Sequence, residues 1–194
     1  MSESLIRRSL EKSLSTKSLS DLVRIRSSSS AEVWMLLDAS GSMEGTMRNG
    51  KRLIDGLCEV VQGVQSKRPV KMIVFSNNEA SVTSRAPQHP RGGTPLDKAI
   101  LLAKRLEVGR CIVVSDGVPD SREQAMSAAR DFGGQIDVVY VGDPGDSGEE
   151  FLRALAASTG GTEFHGDLSQ PKELSKGIIG LITAGTDEEE EEED

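Results

Sequence analysis

Aromatic side chains make up only 3% of this 194-residue chain, four Phe, one Tyr and one Trp, while aliphatic residues are plentiful. That balance suits an α/β protein whose sheet is filled by Val, Ile and Leu. Cysteine is scarce too: Cys58 falls in a predicted helix and Cys111 opens a predicted strand. Two thiols in a chain this long make no disulfide framework, and neither has a second thiol or a His at metal-ligand spacing. Zinc therefore has no support, and both cysteines read as reduced core residues. The two histidines, His89 in a Pro-rich loop and His165 after a short strand, stand far from Ser40 and Ser42 in sequence. With no Gly-x-Ser-x-Gly elbow either, a serine-hydrolase centre has no support.

Long apolar runs are missing as well. Nothing approaches the ~18 residues a membrane span needs, and the N-terminus alternates Leu with Ser and charge where a secretory core would be apolar. A cytoplasmic protein is expected. The net charge of −8 carries little information, because Asp187 to Asp194 are all acidic. Without them 23 acidic residues face 23 basic ones, and a neutral body offers nucleic acid no electrostatic footprint.

What is present divides into three. Residues 1–30 contain eleven serines, a loose Ser-Leu recurrence and a net charge of +3, which reads as a disordered or partner-docking arm. Residues 185–194 form an acidic tail. Between them, residues 31–184 carry alternating strand and helix signals. Val33–Leu37, Val70–Phe75, Cys111–Ser115, Ile136–Val141 and Thr162–Phe164 read as strands, and Ser81–Ser84 as a short polar edge strand hairpinned antiparallel on the second. Helical faces recur on Leu53, Leu57, Val60, Val61 and Val64, then on Leu96, Ala99, Ile100, Ala103 and Leu106. Ser121 with Gln124, and Ser147 with Glu150, read as capping boxes, and Pro171 starts a last helix on Leu174, Ile178, Leu181 and Ile182. This alternation predicts a doubly wound, mostly parallel six-stranded sheet with one antiparallel edge strand and helices on both faces.

Such sheets bind ligands outside the carboxyl ends of their strands, where strand order reverses. Asp38 closes the first apolar strand, and Ser40 and Ser42 follow it at alternate positions. All three are hard oxygen donors suited to Mg²⁺ or Ca²⁺. Alone, this hexapeptide is read equally well as a metal site or as a capped turn. Thr94 arrives by a loop at the same side, and Asp116 ends another apolar strand there. Two carboxylates at one edge repel each other and raise each other's pKa unless a cation or proton lies between them.

Asp38-Ala-Ser-Gly-Ser-Met43, Gly92-Gly93-Thr94-Pro95 and Ser115-Asp116-Gly117 together resemble the three parts of the metal-ion-dependent adhesion site of von Willebrand factor A domains, over residues 31–183. The resemblance implies a Rossmann-like fold and metal ligation by Asp38, Ser40, Ser42, Thr94 and Asp116. Mg²⁺ is the implied ion, with Ca²⁺ or Mn²⁺ as alternatives, and one position is left for a carboxylate of a protein partner. It also implies an adaptor or assembly subunit, beside an AAA+ ATPase in similar microbial domains, and not an enzyme. The acidic tail could supply a carboxylate to the same or a neighbouring molecule's site, or attract a basic partner.

The alternative reading is a metal-dependent hydrolase or a degenerate P-loop NTPase. Gly45, Gly50 and Lys51 match a P-loop's spacing, but Arg52 stands where Ser or Thr must hold Mg²⁺, and Gly45 comes seven residues after Asp38.

Overall fold

The computed structural model describes residues 32–183. The expectations for the Ser-rich arm and the acidic tail lie outside that range. Among the described residues six strands form, β1 (Val33–Asp38), β2 (Lys71–Ser76), β3 (Glu79–Thr83), β4 (Arg110–Ser115), β5 (Gln135–Tyr140) and β6 (Glu163–His165), apolar except for the edge strands β3 and β6. Five helices alternate with them: α1 (Leu53–Gln65), α2 (Leu96–Arg105), α3 (Arg122–Phe132), α4 (Ser147–Ser158) and α5 (Pro171–Thr183). The strand order is β3-β2-β1-β4-β5-β6, parallel except for the antiparallel β2–β3 hairpin. The expected doubly wound sheet is therefore the fold observed.

Side-chain alternation along each strand builds two cores. Trp34 and Leu36 of β1 join Cys111 and Val113 of β4 under α2, α3 and α4. Val33, Met35 and Leu37 join Ile112 and Val114 under α1 and α5. In α1, Ile54, Leu57, Val60, Val61 and Val64 are fully buried. Each such side chain removed from water stabilises the fold by about 1.5–3 kcal/mol.

Several local expectations shift. The β2–β3 turn is tighter than foreseen: Asn77 (φ 46°) and Asn78 (φ 65°) both adopt left-handed backbone, so the hairpin closes on two residues and β3 starts at Glu79. Asn tolerates that region better than most side chains because its short amide bonds locally. Ser121 caps α3 as expected, accepting from Gln124 N–H. The cap of α4, however, is Asp146, whose carboxylate accepts from the amides of Gly148 and Glu149; an ionised cap complements the helix dipole better than Ser147 would. Leu106 is 42% exposed where burial was expected, because α2 ends at Arg105 and the chain turns away. Cys111 is buried, whereas Cys58 is only half-buried and donates its thiol to the Pro87 carbonyl.

Candidate metal centre

The strand order reverses between β1 and β4, and Asp38 and Ser115 end those two neighbouring strands. Because Leu37 pairs with Val114, the next residues, Asp38 and Ser115, stand side by side on the face shared with α2. Ser115 Oγ donates to one Asp38 oxygen (2.5 Å) and Ser40 N–H donates to the other (2.8 Å). Beyond Asp38 a 3-10 turn, Gly41–Glu44, carries the chain over the sheet edge. Ser40 and Ser42 sit at its mouth with their hydroxyls 3.0 Å apart, and Ser42 Oγ donates to Asp116 Oδ1 (2.8 Å).

The third segment is tied to both of the others by backbone. Arg91 N–H donates to the Ala39 carbonyl, and Gly41 N–H to the Gly92 carbonyl, both at 2.9 Å. Gly92 adopts φ +63°, and a Cβ there would lie 2.7 Å from the Asn77 Cα, so glycine is required on both counts. Thr94 N–H donates to Asp120 Oδ1 (2.9 Å), and Asp120 N–H returns a bond to the Thr94 carbonyl (3.0 Å). Thr94 does not cap α2 with its side chain; Pro95 occupies the cap position without a side-chain bond. The three sequence segments thus converge, with Asp38 and Ser40 buried, Thr94 nearly so, Asp116 half-buried and Ser42 on the rim.

Electrostatics follow from that gradient. Burial pushes the Asp38 carboxyl up to about 6; repulsion from Asp116 adds to this, and the bonds from Ser115 and Ser40 pull back. Burial also raises Asp116, the Ser42 bond opposes it, and the nearby Asp146 charge pushes it further up. Burial alone would raise Asp146, but the Tyr140 hydroxyl and the amides at the start of α4 hold it low. The centre therefore concentrates negative charge with no cationic side chain within ion-pair distance of Asp38 or Asp116 among the described residues. Its donor set is two carboxylates plus hydroxyls. No group of three or more His, Cys, Asp and Glu side chains gathers to hold a metal among the described residues. A hard cation served by neutral hydroxyls is the chemistry such a set fits.

Sequence reasoning missed three supporting residues: Ser115, Asp120 and Asp146. Ser115 carried a partial signal as a polar residue ending an apolar strand, but its place beside Asp38 comes from the pairing of β1 with β4. Asp120 and Asp146 had no sequence signal, because loop closure alone brings them in.

Three similar structures come from bacterial proteins. The first is a von Willebrand factor type A protein from Catenulispora acidiphila, 17% identical, with a TM-score of 0.61 over 77% of this chain and 42% of that one. The PilB minor pilin of Streptococcus sanguinis is 11% identical, with a TM-score of 0.57 over 78% of this chain and 60% of that one. The vWF domain of the type V pili tip protein Mfa5 of Porphyromonas gingivalis is 12% identical, with a TM-score of 0.56 over 79% and 95%. The fold is that of von Willebrand factor A domains. By sequence, no family model and no curated protein matches the chain. The A-domain likeness accordingly concerns the fold, and the chain spans about half the length of the first two proteins.

The P-loop-like stretch of this A-domain fold is spent internally. Thr46 and Arg52 form a bridge, Met47 N–H bonds the Lys51 carbonyl, and Lys51 Nζ pairs with Glu59 at 2.6 Å. Among the described residues, no helix is long and apolar enough to cross a membrane.

Proposed function

We propose that this chain is a Mg²⁺-dependent protein-interaction module of the cytoplasm that captures an Asp or Glu side chain of a partner. Asp38, Ser40, Ser42, Thr94 and Asp116 would hold the ion, with Ca²⁺ or Mn²⁺ as substitutes. When bound, the ion supplies an electrophilic position that an incoming carboxylate can fill. The observation that carries this reading is the run of bonded oxygens from Ser40 through Ser42 to Asp116, above a buried Asp38 that no cationic side chain pairs with among the described residues. Ser40 and Ser42 contribute without adding charge, so a cation held here keeps its attraction for an outside anion. Ser115 and Asp120 fix the orientations of Asp38 and the Thr94 backbone.

An interaction role is also supported by the company of the fold, since two of the similar structures belong to pilus proteins, a minor pilin and a tip protein. We assign the chain the part of an adaptor or assembly subunit, with an AAA+ ATPase as the partner to look for first, and no catalytic role. The hydrolase and NTPase alternative gains no observation of its own, since Lys51 is already committed to Glu59.

Affinity capture from native lysate, run with Mg²⁺ and again with EDTA, tests the proposal. Partners should be recovered only with Mg²⁺, and Asp38→Ala with Ser40→Ala should lose them. Calorimetric titration with Mg²⁺ and Mn²⁺ should show one site that the double variant lacks. Recovery of the same proteins in both conditions would sink the mechanism.

A further inference from the structure

At the opposite edge of the sheet, β3 pairs only with β2 among the described residues, which leaves its outer backbone row open. Beside it lies a groove of about 550 Å³ between β3 and α2. Its floor is Ala80 and Leu101, the latter 42% exposed, and its wall carries Lys98, Lys104 and Arg105 against a single acid, Glu79. Lys98 Nζ donates to the Asn78 carbonyl and side-chain oxygen, both neutral, so its charge is not cancelled. Among the described residues, none of these three cations has a carboxylate at ion-pair distance.

We propose that this groove receives the acidic run Asp187–Asp194 of a second copy of the chain. Charge complementarity chooses the occupant: eight consecutive carboxylates meet three uncompensated cations, and the methylene stems of Glu suit the Ala80–Leu101 floor. Lys98 and Arg105 stand seven residues apart on α2, about 10 Å along its axis. An extended run repeats its carboxylates about every 3.4 Å, so it matches that spacing in many registers.

Reach chooses the copy. The helix before the tail, α5, lies with Leu174, Ile178 and Leu181 over Val139 of β5 and Phe164 of β6, on the face opposite α2. From β5 to β3 is four strand spacings, about 19 Å, with about 10 Å more to cross the sheet. The four residue steps from Thr183 to Asp187 span at most about 14 Å. The first half of the chain's own acidic run therefore falls short of its own groove, whereas the whole of a neighbour's run is free to lie along it.

The full-length protein tests this by sedimentation velocity over a concentration series in EDTA. Weight-average mass should rise above the 20.8 kDa monomer at low salt and return to it near ~0.5 M NaCl, where charges are screened within a few ångströms. Lys104→Glu with Arg105→Glu should weaken association at least about tenfold, and so should replacing Glu188 to Glu193 by Gln. Circular dichroism should show both variants folded, since the substituted α2 side chains are exposed. Mixing the two variants should restore a one-to-one complex, because one supplies an intact run and the other an intact groove. A monomer at all concentrations, self-association unchanged in either variant, no complex on mixing, or association that requires Mg²⁺ would each overturn the proposal. The last would place the run at the metal centre, which the EDTA condition separates from this groove.

Discussion

Replacing Asp38 with Asn removes a charge that the metal-free fold carries at a cost. Burial and Asp116 lift the Asp38 carboxyl from its ordinary 3.8 to about 6. Between those values the folded chain keeps a proton that the unfolded chain has released, so stability falls as pH rises through the window. A rise of that size corresponds to about 3 kcal/mol, fully expressed by pH 7. In a domain of this size that is a loss of about 6–12 °C in Tm. Asn at this position still accepts the Ser40 amide, and the Ser115 hydroxyl can rotate to accept from the new amide, so the bonds survive while the charge does not.

The assay is denaturation of wild type and Asp38→Asn in EDTA from pH 4 to pH 8, repeated at pH 7 with Mg²⁺. The difference between the two proteins is the informative quantity, because Asp55, Asp146 and Asp167 sit below their usual range and pull total stability the other way. The variant should gain on wild type by about 3 kcal/mol as pH rises, and Mg²⁺ should stabilise wild type alone. A stability difference that does not change with pH, or equal Mg²⁺ stabilisation of both proteins, would refute the reasoning.

Other expectations rest on single contacts. Gly92→Ala forces a left-handed alanine against the Asn77 backbone and should cost about 2 kcal/mol or more, with weakened Mg²⁺ affinity by calorimetry because the Thr94 loop moves. Asp120→Ala leaves the Thr94 amide without its acceptor, and urea denaturation should show a loss of about 1–3 kcal/mol. Leu57→Ala, at a fully buried position of α1, should cost about 2–5 kcal/mol in the same assay while leaving Mg²⁺ affinity of the folded protein unchanged.

The alternation of apolar strands with amphipathic helices was enough to specify this architecture, because periods of two and near four leave each element one way to bury its face. The strand-end positions of Asp38 and Asp116 were readable for the same reason: an apolar strand that stops at an acid delivers that acid to the carboxyl edge. The exact hairpin at Asn77–Asn78 and the Asp146 cap were not, since turn geometry and capping choose among several adjacent polar residues whose sequence signals are equal. Only the tertiary structure decided that β1 and β4 are neighbours in the register that sets Ser115 against Asp38. Only it brought Asp120 to Thr94 and raised the Asp38 carboxyl by burying it beside Asp116. Burial and through-space repulsion depend on contacts between residues some 26 to 78 positions apart, and no local pattern in the chain encodes those distances.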